Sequence, residues 1–135
     1  MPTPAITDFP YSNNLRVAEL VREGIPARSL KALAQALNMS MTRVSEATLI
    51  PRRTLERRIA SNGRLPQPES ERVVRIGRIF AKATDVFEDR VEAALWLNEP
   101  LAYFGGRTPM QLISTEAGAR EVEQVLGRIE HGVFS

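Results

Sequence analysis

Apolar residues recur along this chain at helical rather than strand spacing. Leu30, Leu33, Ala34 and Leu37 follow the i, i+3, i+4, i+7 rule and predict a helix with one apolar face. Leu15, Ala18 and Val21 predict a short helix before it, and Met41, Val44 and Ala47 one after it. Leu55, Ile59 and Ala60 predict a fourth, starting near Pro51. Val73, Ile76, Phe80, Ala83 and Phe87 predict a long fifth helix. Val91, Ala94, Leu95 and Trp96 predict a sixth; Met110, Leu112 and Ile113 fit a turn or two; Val122, Val125, Leu126 and Ile129 predict the last. No sustained apolar–polar alternation predicts a strand, and internal repeats and low-complexity tracts are absent. The expected fold class is all-α.

Prolines and glycines divide these segments. Pro26, Pro51, Pro68 and Pro109 each precede a helix-forming stretch, where a first-turn proline costs no hydrogen bond. Thr108 before Pro109 and Ser114 before Glu116 are expected N-caps. Gly24, Gly63, Gly105 and Gly106 mark stops or turns. Residues 1–14, with three prolines and several polar side chains, read as a flexible tail and lack the layout of a signal peptide. Residues 15–82 and 83–135 form the two expected domains. The long helix bridges them, with the boundary near residues 82–86.

Charge sharpens that division. The net charge is only +2, but residues 1–82 carry 14 Lys and Arg against 7 Asp and Glu. Residues 83–135 carry 4 against 9. This segregation suggests a basic face for nucleic acid and an acidic face for another partner. Arginine supplies 16 of the 18 basic residues, and its fork grips phosphates and guanine edges bidentately. A genome rich in G and C would also enrich Arg, although it would not segregate charge.

The basic part reads as a helix-turn-helix. Two short predicted helices, over about residues 40–47 and 51–60, flank Thr48, Leu49 and Ile50, a suitable turn length. The glycine often found in such a turn is missing, so Thr48 or Leu49 has to take its conformation. Leu55 and Ile59, at i, i+4, pin the second helix to the core and turn its arginines outward, as a recognition helix requires. Arg52, Arg53 and Thr54 are the candidates for base edges; Arg57, Arg58, Arg64 and Arg43 are those for phosphates. The alternatives are an ordinary helical pair with a solvated Arg face, or a former DNA-reading module that now serves packing.

Catalytic chemistry finds no support. Cysteine is absent, which excludes disulfides, thiolate metal sites and a cysteine nucleophile, and fits a reducing cytoplasm. No apolar run approaches the roughly 18–20 residues that span a bilayer. His131 is the only histidine, Glu121 and Glu123 share no helix face, and Gly105-Gly106 lacks the Lys-Ser/Thr of a phosphate loop. No enzyme activity, metal or cofactor is expected.

The second half carries a more specific pattern. Ala93-Ala94-Leu95-Trp96-Leu97 is followed by Asn98-Glu99-Pro100, then by Gly105-Gly106-Arg107-Thr108-Pro109. Glu116-Ala117-Gly118 opens the last helix, and Gly132-Val133 lies near the end. This combination resembles the toxin-binding domain of Xre/MbcA/ParS antitoxins. Ile50-Pro51-Arg52-Arg53-Thr54-Leu55-Glu56-Arg57-Arg58 resembles the helix-turn-helix of the same family, so the likeness runs from about Leu15 to Ser135. Leu101-Ala102-Tyr103-Phe104 departs from it, where the family has a smaller loop containing Asn and Ala.

The resemblance implies an antitoxin that neutralises a RES-type, NAD-consuming toxin; repression of its own operon is expected beside it, by a homodimer, because operator binding usually needs two half-sites. It also implies occlusion of the toxin's active-site pocket by the end of the chain: Arg128, Glu130, His131, Gly132, Val133, Phe134 and Ser135. On residues alone this end reads as a frayed terminus. Two rival functions remain: a transcriptional regulator whose second half dimerises or senses a ligand, and a pure protein-interaction module. Trp96 is expected in the core, and Gly118 at a close approach.

Overall fold

The computed structural model describes residues 3–132. Among them run eight α-helices and no strand: α1 (Asn14–Glu23), α2 (Ser29–Ala36), α3 (Met41–Thr48), α4 (Arg52–Ala60), α5 (Gln67–Phe87), α6 (Arg90–Leu97), α7 (Pro109–Leu112) and α8 (Glu116–Glu130). Single 3-10 turns cover Ile6–Asp8 and Ala102–Phe104. The expected fold class is the one observed.

The axis is α5, 21 residues long and unbroken through the point where the charge changes sign. It buries Val73, Ile76, Ile79, Phe80 and Ala83. Its contacts with α6 and α8 are the most extensive, and it also packs on α1 and α3. One core cluster joins both halves, running from Leu30, Leu33 and Leu37 to Val122, Val125 and Leu126. The Asn98 side-chain amide, after α6, donates to the Leu37 carbonyl at the end of α2 at 2.9 Å. The two halves therefore share one core and a cross-link.

Several local expectations need correcting. The buried face of α1 is Val17, Leu20 and Val21, whereas Leu15 is 80% exposed. Asn13 caps this helix by accepting the Arg16 N–H at 3.1 Å; packing against α5 then selects the buried face and leaves Leu15, at the second position, outward. Pro26 starts no helix; it pairs with Arg64 in an isolated bridge, and α2 begins at Ser29. The N-cap of α8 is Thr115, whose hydroxyl accepts the Gly118 N–H at 3.0 Å; Ser114 donates instead to the Gln111 carbonyl. Thr108 does cap α7, in a reciprocal pair with Gln111.

The segment expected as a flexible tail is a packed strap. Ile6 is 1% and Phe9 6% exposed. The Tyr11 hydroxyl donates to the Ile6 carbonyl at 2.6 Å and rests in a notch left by Gly77 on α5. Burial pushes the Tyr11 phenol well above its ordinary pKa, against a lowering by Arg78. Asp8 pairs with Arg90 at 3.7 Å. Ile6 and Phe9, two apolar residues between prolines, set no helical period, so only tertiary contact reveals their burial. Among the described residues, no helix is long and apolar enough to cross a membrane.

Candidate functional site

The helix-turn-helix is α3, a tight turn and α4. Ser40 caps α3, accepting the Arg43 N–H at 3.2 Å, and Val44 and Ala47 face the core. Leu49 takes the left-handed conformation, with φ 59° and ψ 30°, where a glycine often stands. Three contacts hold this turn in place: Thr48 Oγ1 donates to the Val44 carbonyl, Ser45 Oγ donates to the Ile50 carbonyl, and Arg72 Nε of α5 donates to the Thr48 carbonyl. Ile50, 1% exposed, plugs the turn into the core. Pro51 ends the turn and precedes α4.

Leu55 is the buried residue of α4. One fully buried leucine contributes about 1.5–3 kcal/mol, and the partly buried Ile59 packs on the core beside it. Arg58 and Arg64 reinforce it. Arg58 pairs with Glu69 of α5, and Arg64 donates to the Gly24 carbonyl at 2.7 Å. Both expected phosphate ligands thus have one edge engaged inside the molecule. Thr54 is half-buried beside Leu55 rather than on the outer stripe.

That stripe is Arg52, Arg53, Glu56, Arg57 and Ala60, all exposed at helical spacing. Arg43 is exposed on α3. The side chains of Arg43, Arg53 and Arg57 have no hydrogen-bond or ion-pair partner among the described residues. Arg52 does: Nε donates to Glu56 at 2.8 Å and Nη1 to the Thr42 hydroxyl at 2.6 Å. Neither Glu56 nor Thr42 stands out in the sequence, where cations mark this surface. Their only signal is spacing, Glu56 lying four residues after Arg52.

Part of the basic excess is internal bracing. Arg72 holds the turn, and Arg75 donates to the Ser114 carbonyl at 3.1 Å and to Glu116 at 3.2 Å. Arg78 reaches Glu123 at 3.3 Å. One face of α5 therefore ties the helix-turn-helix to the acidic half by charge.

The second half is built around α6. Asp89 caps it, accepting the Val91 N–H at 2.7 Å. Leu97 is fully buried, and the half-buried Trp96 lies 5.8 Å from the Phe87 ring. The Trp96 indole also bonds Tyr103, whose phenol pKa is raised chiefly by burial, lowered by that bond and raised by Glu99. In the divergent loop Phe104 is buried, and Gly105 and Gly106, with φ of 68° and 84°, turn the chain back. Gly118 meets the end of α7 so closely that a Cβ would lie 1.9 Å from the Leu112 carbonyl oxygen. Val91 and Leu95 remain 67% and 57% exposed on α6.

At the end of α8, Arg128, Glu130, His131 and Gly132 are at least partly exposed, with Gly132 at φ 74°. Val133, Phe134 and Ser135 lie outside the described residues. No group of three or more His, Asp or Glu among the described residues is placed to hold a metal.

A helix-turn-helix sharing its core with a compact helical half defines a two-part, all-α helix-turn-helix protein. Comparison with known proteins agrees in both parts. Residues 16–78 match the antitoxin Xre-like helix-turn-helix domain, and residues 82–132 match the antitoxin Xre/MbcA/ParS C-terminal toxin-binding domain. The chain is 34% identical over 128 residues to the antitoxin Xre of Yersinia enterocolitica, covering 94% of this chain and 86% of that protein. It is 33% identical over 129 residues to the antitoxin Xre of Pseudomonas putida, covering 95% and 80%. A Sphingobium protein named Prs ADP-ribosylating antitoxin is 26% identical over 125 residues, covering 86% and 79%. The chain belongs to the Xre antitoxin family.

Proposed function

We propose that this antitoxin neutralises a RES-type, NAD-consuming toxin by direct binding, and represses its own operon as a homodimer on DNA. It acts by binding rather than by catalysis. One observation carries the DNA half: Arg43, Arg53 and Arg57 stand exposed and unpartnered among the described residues on the outer face of a helix-turn-helix. Free guanidinium groups on such a face are suited to phosphates, and α4 to the major groove. Two such units are needed to meet half-sites about 34 Å apart, hence the homodimer.

The toxin half rests on residues 82–132, which match a toxin-binding domain. The Sphingobium relative's name refers to ADP-ribosyl transfer, a reaction that consumes NAD. Arg128, Glu130, His131 and Gly132, with Val133, Phe134 and Ser135 beyond them, are proposed to cover the toxin's active-site pocket.

Co-expression with the product of the adjacent reading frame tests this. The two proteins should co-purify, and the antitoxin should abolish NAD consumption by its partner. Deleting residues 133–135 should weaken inhibition without lowering the melting temperature. Full inhibition by the truncated chain would remove the occlusion mechanism. No partner at all, with repression intact, would favour a helix-turn-helix regulator without a toxin.

A further inference from the structure

The outer stripe of α4 carries a side chain that phosphate binding does not need. Glu56 sits at its centre, between Arg53 and Arg57. A carboxylate in that place repels the DNA backbone and weakens binding to every sequence. Yet it is engaged in an orderly way. Its Oε1 accepts from Arg52 Nε at 2.8 Å, while Arg52 Nη1 donates to Thr42 Oγ1 of α3 at 2.6 Å. Two helices therefore hold one guanidinium, and Arg52 and Glu56 both remain 55% exposed.

This distinguishes Arg52 from its neighbours. Arg53 and Arg57 have no partner among the described residues and are free to follow a phosphate. A held guanidinium loses less rotamer freedom on meeting a pair of acceptors, and it presents them with a fixed direction. Fixed direction is what base discrimination requires, whereas a phosphate contact carries no sequence information. In the major groove guanine offers N7 and O6 as acceptors, and its paired cytosine offers the N4 amino group as a donor. Arg52 matches the first and the Glu56 carboxylate the second.

Resting on the DNA-binding function proposed above, we propose that Arg52 and Glu56 form a base-reading pair for one G·C position, with Glu56 as both positioning residue and cytosine acceptor. Specificity then comes from a trade. Glu56 lowers the affinity for arbitrary DNA, and only a site with the matching edges recovers it.

The test is selection from a randomised duplex library with the full chain, comparing wild type, E56Q, R52A and R53A. Binding constants follow on the selected duplex and on one with that G·C pair replaced by A·T. Wild type should enrich a motif with a fixed G·C pair. E56Q should bind the mismatched duplex several-fold more tightly, and its discrimination should fall about tenfold. R52A should lose the same discrimination. R53A should weaken both duplexes alike. A merely structural ion pair could not raise affinity and lower discrimination together, and equal melting temperatures would exclude misfolding. An unchanged ratio in E56Q overturns the proposal. So does wild type that binds DNA with steep salt dependence but enriches no motif, a result that leaves DNA binding standing. No binding to any duplex at low salt would remove both.

Discussion

Two glycines in one helix should respond to the same substitution with opposite signs. Gly118 lies in the first turn of α8, where an added Cβ would sit 1.9 Å from the Leu112 carbonyl oxygen and 2.7 Å from its carbon. These are backbone atoms, and they cannot swing aside. The stretch is also held from both ends, by the Thr108–Gln111 capping pair and by Arg75 on the Ser114 carbonyl. Helix propensity favours alanine by about 1 kcal/mol, but forcing α7 and α8 apart costs about 1–3 kcal/mol or more. Gly118→Ala should therefore destabilise the protein, lowering the melting temperature by about 4 °C per kcal/mol. Gly127, further along the same helix, has no atom within 4 Å of the place a Cβ would occupy. There Gly127→Ala should stabilise by about 0.5–1 kcal/mol. Thermal and urea melting of the two variants checks the pair. A stabilised Gly118→Ala protein would refute the close approach of α7 and α8.

Other consequences are equally direct. Leu49→Gly should stabilise by roughly 1 kcal/mol, because a left-handed backbone costs a leucine that much and this side chain is 57% exposed. A loss in urea melting would show that the Leu49 side chain packs. Tyr11→Phe removes the 2.6 Å bond to Ile6 and should cost about 1 kcal/mol at neutral pH. Burial raises the folded-state pKa of Tyr11 above its ordinary value of 10.0. Its neutral-phenol contribution is thus present below pH 10.0 and lost as pH rises through the folded value. Wild type should therefore lose stability more steeply than Tyr11→Phe above that pH; parallel urea midpoints would contradict the burial of Tyr11.

Helix existence was legible in the sequence because each helix carries its own apolar period. Leu30, Leu33, Ala34 and Leu37 announce α2, and all four are buried. The turn was legible too: with no glycine available, Leu49 carries the left-handed residue. Less legible was whatever tertiary contact decides. The phase of α1 hung on its packing against α5, and the seating of Ile6 and Tyr11 on a notch at Gly77. Charge counting found the basic half but could not separate arginines that brace the fold, such as Arg72, Arg75 and Arg78, from those left free. Glu56 stayed hidden because a search for cations passes over an acidic residue among them.

A single double variant, Arg53→Ala with Arg57→Ala, measures the division of labour between the halves most directly. Its DNA affinity and its inhibition of the co-expressed toxin are followed side by side. If the halves divide the work, DNA binding weakens and the slope of log K against log salt falls by about two, while toxin inhibition is untouched. DNA binding that survives intact, or toxin inhibition that disappears with it, would contradict that division.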